Sequence, residues 1–122
     1  MPDSDWVEIR PDEAAFEDLR THIRTIAGND QASAGRFYRA YQEIAKSIAS
    51  NPYHGDQLTG NLMGLRKVYL DDPQHQGKPR FRVVYELEPD EGSPALARIR
   101  GVVRRAESIG YLVIAHRLGR RR

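Results

Sequence analysis

The chain has 122 residues, with 19 Lys and Arg against 17 Asp and Glu, 39% apolar content and a formal charge of +2. A chain this size buries roughly two-thirds of its unfolded surface, enough for one core, which excludes an enzyme with separate cofactor and substrate domains. The absence of Cys excludes a disulfide framework, a thiolate zinc site and a thiol nucleophile.

In chain order, residues 6–9 form a short strand candidate ending near Pro11, whose fixed φ suits a first helical turn. Phe16, Leu19, Ile23 and Ile26 then recur at helical spacing as one buried stripe, and Asp12, Glu13, Glu17 and Asp18 occupy the early turns that the helix dipole favours for acids. Gly28-Asn29 ends this helix. A second helix over about 30–50 places Phe37, Tyr41, Ile44, Ala45 and Ile48 on one face and is closed by Asn51-Pro52. Together they make a hairpin over about 12–50.

The period then changes from helix to strand. Residues 64–70 form one strand candidate, and after the polar loop 71–79 comes the clearest strand, with Phe81, Val83, Tyr85 and Leu87 alternating against Arg82, Val84, Glu86 and Glu88. The turn 89–94 leads to a third run, 95–104, in which strict alternation puts Leu96, Arg98, Arg100 and Val102 on one side. The sheet is expected over about 64–105. Residues 109–115 have the composition of a buried strand, while Tyr111, Ile114, Ala115 and Leu118 equally make a helical stripe, and periodicity leaves both open. The acidic N-terminal stretch lacks a signal core or transit pattern and the longest apolar run is short, so a cytoplasmic protein without membrane contact is expected.

The charge is unevenly distributed. Residues 1–60 carry six Lys and Arg against ten Asp and Glu, or −4, and residues 61–122 carry thirteen against seven, or +6. Arg120, Arg121 and Arg122 read as a solvated tail, but Arg80, Arg82, Arg98, Arg100, Arg104 and Arg105 fall in strand-like segments, where guanidinium groups can line a face suited to phosphate.

Four features of the second half form a known pattern: Leu58-Thr59-Gly60 ahead of a Gly-Leu-Arg-Lys-Val strand, the strand Phe81-Arg82-Val83-Val84-Tyr85-Glu86-Leu87, an Arg closing the last strand, and a Tyr six residues beyond it. Together they resemble the RelE/ParE superfamily of bacterial toxins from type II toxin-antitoxin modules. The family's messenger-RNA-cleaving branch has Arg-Glu-x-Ser-x-Val-Tyr leading into a helix that finishes with Arg-Leu. Here the stretch is Arg105-Ala106-Glu107-Ser108-Ile109-Gly110-Tyr111, and the chain continues to His116-Arg117-Leu118 without a gap. Gly110 departs from the family's β-branched residue, which weakens a helical first turn.

The resemblance, spanning about residues 12–118, implies an α+β fold: an N-terminal strand and a two-helix hairpin packed on a twisted antiparallel sheet of about four strands, with a short C-terminal helix over about 107–119. It also implies a metal-independent, cofactor-free endoribonuclease that cleaves messenger RNA on the ribosome and is neutralised by a cognate antitoxin protein. Arg82 would then contact the scissile phosphate, Arg105 would do likewise or orient the leaving group, and Tyr111 would transfer a proton, its pKa lowered by the surrounding cations. Lys67, with Arg66, would add positive charge or help activate the nucleophile, and Arg80, Arg100, Arg104, His116 and Arg117 would contact RNA. The sequence does not separate Arg104 from Arg105. Tyr69, Phe81 and Tyr85 are candidate base-stacking rings, although Phe81 and Tyr85 share their strand side with core residues. Two alternatives remain within the resemblance: a ParE-like toxin that inhibits DNA gyrase without nuclease activity, and a non-toxic member that binds RNA or a partner.

Overall fold

A computed structural model of the protein describes residues 6–71, 79–104 and 109–120. The elements are β1 (Glu8–Pro11), α1 (Glu13–Asn29), α2 (Gln31–Ser50), β2 (Asp56–Gln57), a 3₁₀ turn (Gly60–Leu62), β3 (Leu65–Asp71), β4 (Pro79–Glu88), β5 (Leu96–Arg104) and α3 (Ile109–Arg117). Pro11 closes β1 instead of opening α1. Asp12 is the cap, its carboxylate accepting from Ala15 N at 2.8 Å, and Asp30 caps α2 in the same way through Ala32 N at 3.1 Å.

The strands make one sheet in the order β1-β5-β4-β3-β2. It is five-stranded and mixed, because β1 pairs parallel with β5 while every other pairing is antiparallel. The α+β architecture is thus the expected one with two differences: the sheet is mixed where an antiparallel one was expected, because β1 joins its edge parallel to β5, and it has one strand more, the two-residue β2 that no periodicity could reveal.

One face of the sheet carries the helical hairpin. Phe81, Val83, Tyr85 and Leu87 of β4 pack with Leu19 and Ile26 of α1, Phe37, Tyr41 and Ile48 of α2, and Ala97, Ile99 and Val102 of β5. Phe16, expected in the stripe, is exposed, and Ala15 takes its place inside because the buried line of α1 runs through Ala15 and Leu19. On the opposite face, Ile114 and Ala115 of α3 pack on Leu62, Leu65, Val84 and Val103, with Tyr111 and Leu118 at the margin. The ambiguous C-terminal segment is therefore a helix.

The pairing of β4 with β5 slips by one residue between Val84 and Tyr85, opposite Arg100. This bulge breaks the strict alternation expected of β5. Val102 points to the hairpin core, whereas Val103 and Gly101 lie under α3.

Helix α3 sits unusually close to β5. A Cβ on Gly110 would stand 2.9 Å from Val103 Cβ, and one on Gly101 would stand 2.9 Å from Ile114 Cδ1. Gly110 is therefore a seat for the helix, which accounts for its departure from the family pattern. Gly110→Ala is expected to lower stability by about 1–2 kcal/mol, because overpacking against a β-branched strand residue outweighs the helix-propensity gain of up to ~1 kcal/mol. Gly28→Ala, in α1 with nothing within 4 Å of the added carbon, is expected to raise it. Thermal denaturation of the two variants should shift Tm in opposite directions.

Candidate active site

Alternation on three neighbouring strands lays out the face beneath α3. Tyr69 of β3 lies opposite Arg82 of β4, which lies opposite Val103 of β5, and one step along the sheet Lys67, Val84 and Gly101 form the next row. On the reverse face, the buried Tyr85 hydroxyl donates to Pro52 O at 2.8 Å and accepts from Gly55 N at 2.9 Å, holding the 52–55 segment against the sheet. Gly55 must be glycine, since a Cβ there would stand 2.8 Å from Lys67 O and from the Tyr85 ring.

Onto this floor α3 delivers Tyr111, whose ring lies 4.5 Å from the Arg82 guanidinium carbon. Arg82 Nε and Nη1 and the Tyr111 hydroxyl are buried, and among the described residues none of the three has a hydrogen-bond partner. Each such group costs ~1–3 kcal/mol when buried unsatisfied. Native structures keep few of these, and three such atoms gathered at one ring contact make this the candidate site, where acceptor oxygens can complete the bonding.

Burial raises the pKa of Tyr111 above its ordinary value, while the nearby Arg82 and Lys67 charges pull in the opposite direction and lose. The expected lowering by cations is thus overturned by desolvation. At neutral pH Tyr111 is a protonated phenol, fit to donate a hydrogen bond or a proton. Beside it, Lys67 Nζ donates to the Tyr69 hydroxyl at 2.7 Å and lies 3.8 Å from Asp56 Oδ2.

Most of the other expected RNA-contacting residues are engaged elsewhere. Arg66 lies on the reverse side of β3, where Glu91 accepts from its Nε and Nη2 and Gly55 O accepts from Nη1. This gives loop 89–94 a structural role. Arg100 is paired with Glu86, Asp12 and Glu88, and Arg98 makes two bonds to Glu88, holding that carboxyl below the usual range. Arg117 makes two bonds to Asp18 of α1, at 2.9 and 2.8 Å. Arg104 lies against the Phe81 ring at 5.4 Å, on the hairpin face and not beside Tyr111. His116 is exposed on α3, while Arg105 and the side chain of Arg80 lie outside the described residues. Phe81 and Tyr85 are core residues, 1% and 0% exposed, so neither is available to stack a base.

Of the named site residues, then, Arg82, Tyr111 and Lys67 come together. The sequence reading left Tyr69 without a role in the chemistry, although its two-residue spacing from Lys67 puts both on one face. It also missed Asp18, which accepts from Val102 N at 3.1 Å as well as from Arg117 and so ties α1, β5 and α3 together. No local pattern in α1 marks Asp18 for that task.

The chain thus carries a helical hairpin on one face of an antiparallel-rich sheet and, on the other, a C-terminal helix that presses Tyr111 onto Arg82. The family model described as ParE toxin of type II toxin-antitoxin system, parDE, matches residues 9–114, and the chain belongs to this family, within the RelE/ParE superfamily. Similar solved structures include the RelBE2 toxin-antitoxin complex from Mycobacterium tuberculosis, with 19% identity, TM-score 0.56 and coverage of 82% of this chain and 99% of that one. Toxin RelE from E. coli, solved as a mutant in the free state, gives 14% identity, TM-score 0.59 and coverage of 93% and 98%. The YoeB/ParE toxin from Agrobacterium tumefaciens gives 13%, TM-score 0.55 and coverage of 80% and 98%. At these identities the likeness is one of fold. No curated protein matches the sequence.

Because Tyr111 ionises less readily in the fold than in the unfolded chain, its contribution to stability is complete below about pH 10 and is lost as pH rises through the higher folded value. Tyr111→Phe has no such proton to release and no orphaned hydroxyl. It is expected to melt slightly higher than wild type at neutral pH, by ~1 kcal/mol, and to lose less stability on alkaline titration, both read by thermal denaturation.

Proposed function

We propose that this toxin is a metal-independent endoribonuclease that cleaves messenger RNA on the ribosome in the cytoplasm and is held inactive by a cognate antitoxin. The observation that carries the reading is the Arg82–Tyr111 pair, with its three buried and unpartnered polar atoms. A folded protein tolerates such a cost where function requires it. Phosphate access requires the Tyr111 ring to rotate off the guanidinium, exchanging a ring contact for charge-assisted bonds to phosphoryl oxygens.

The reaction consistent with this site is attack of the 2′-oxygen on the adjacent phosphorus. The proton leaves O2′, the O2′–P bond forms, the P–O5′ bond breaks, and O5′ takes up a proton, giving a 2′,3′-cyclic phosphate and a 5′-hydroxyl. Arg82 compensates the negative charge that grows on the phosphoryl oxygens, in a water-poor setting where such compensation is strongest. Tyr111, kept neutral by burial, supplies the proton to O5′. By family resemblance Arg105 acts beside Arg82 on the phosphate or the leaving group. An antitoxin segment that covers the Arg82 face would silence the toxin, in keeping with the RelBE2 structure being a toxin-antitoxin complex.

A second reading, gyrase inhibition by protein binding, is favoured by two observations. The matching family model is the ParE toxin model, and Arg66, Arg98, Arg100 and Arg117 are paired with the protein's own carboxylates, which shrinks the surface open to RNA.

Induction in a bacterial host with mapping of messenger-RNA 5′ ends separates the two. Wild type is expected to stop growth and create new 5′ ends, with cleavage reduced ~10²-fold or more by Arg82→Ala and by Tyr111→Phe. Growth arrest with intact RNA and altered plasmid supercoiling would establish gyrase inhibition instead.

A further inference from the structure

The nuclease reading leaves the proton on O2′ without a taker, since Tyr111 is occupied on the leaving-group side. We propose that the Tyr69 oxygen, as a phenolate whose own proton has first gone to water, takes that proton, with Lys67 as its positioning partner. This rests on the nuclease reading and extends it to a residue on a different strand.

The placement comes from sheet register. Tyr69 stands directly opposite Arg82 in the β3–β4 pairing, so its side chain borders the guanidinium that would hold the phosphate. Tyr111 reaches the same guanidinium from α3. Two phenols thus border one cationic group from separate elements, as an in-line displacement needs for its incoming and outgoing oxygens.

Their environments differ in the sense the chemistry requires. The Tyr111 oxygen is buried without a partner, which favours the neutral form and suits an acid. The Tyr69 oxygen accepts from the Lys67 ammonium at 2.7 Å, so a negative charge left there by ionisation is compensated at hydrogen-bond distance. Pairs of titratable groups whose surroundings favour opposite states divide acid and base work between them. Tyr69 is also 38% exposed, within reach of an RNA strand, whereas Lys67 is drawn back between Tyr69 and Asp56 with its side chain 18% exposed. In the proposed step the Tyr69 phenolate accepts H⁺ from O2′ as the O2′–P bond forms. The leaving O5′ gains its proton from Tyr111, and the two phenols return to their starting states by exchange with water.

The test uses purified toxin, bacterial ribosomes and two short messenger RNAs, one natural and one with sulfur in place of the scissile 5′-oxygen. A thiolate leaves without protonation, so the sulfur RNA bypasses the acid but not the base. Tyr69→Phe, which keeps the ring, is expected to slow single-turnover cleavage of both RNAs by ~10²-fold or more. Tyr111→Phe should slow only the natural RNA and recover on the sulfur one. Lys67→Met should push the rising limb of the pH–rate profile to higher pH, a change that loss of packing alone would not produce. Tyr69→Phe cleaving natural RNA within twofold of wild type, or being rescued by sulfur as Tyr111→Phe is, overturns the role of Tyr69 and leaves the nuclease reading intact. Wild type that cleaves neither RNA overturns the nuclease reading and this role with it.

Discussion

Everything at the site depends on how closely α3 can approach β5. A helix normally stands off a sheet by the combined depth of two side-chain layers, but Gly110 and Gly101 remove one layer each at the points of contact. That lets a nine-residue helix, too short to be stable in isolation, hold its place through Ile114 and Ala115 in a small apolar cluster. The Arg117 bonds to Asp18 fix its far end. With the helix so anchored, Tyr111 has one place to go, onto Arg82.

The basic half of the chain is a weaker field than its composition implies. Asp12 and Asp18, both from the acidic hairpin, cross to Arg100 and Arg117, and Glu86, Glu88 and Glu91 cover Arg98, Arg100 and Arg66. Partly buried pairs of this kind offset desolvation more than they add stability. Their effect is to fix the sheet's distal end and leave Arg82 without a carboxylate among the described residues.

Element types were readable in the sequence wherever one physical rule dominated. The hairpin followed from helical spacing and from the Gly28-Asn29 and Asn51-Pro52 stops, and β4 from its alternation, which also put Arg82 on the side away from Phe81. What could not be read depended on distant partners. β5 looked regular because a bulge leaves no mark in composition, so Val102 was grouped with Arg98 and Arg100 although it packs in the hairpin core with Ala97 and Ile99. Arg66, Arg100 and Arg117 looked available because the carboxylates that hold them lie 25, 14 and 99 residues away in sequence. For Tyr111 the two contributions, burial and neighbouring charge, oppose each other, and their balance is a property of packing that no spacing encodes. Gly110 looked like a defect in a helix because its reason lies in Val103 on another element.

The slip opposite Arg100 reaches further than its single residue. Had β5 kept strict alternation, Val103 would have turned toward the hairpin and Arg104 into the space under α3, giving Tyr111 a charged floor in place of an aliphatic one. The choice between these floors is stored in strand pairing, so two relatives with the same residues in β5 can present opposite surfaces to the same helix. Divergence in this fold can therefore proceed by moving a kink along a strand, a change that leaves no substitution at the positions it re-aims.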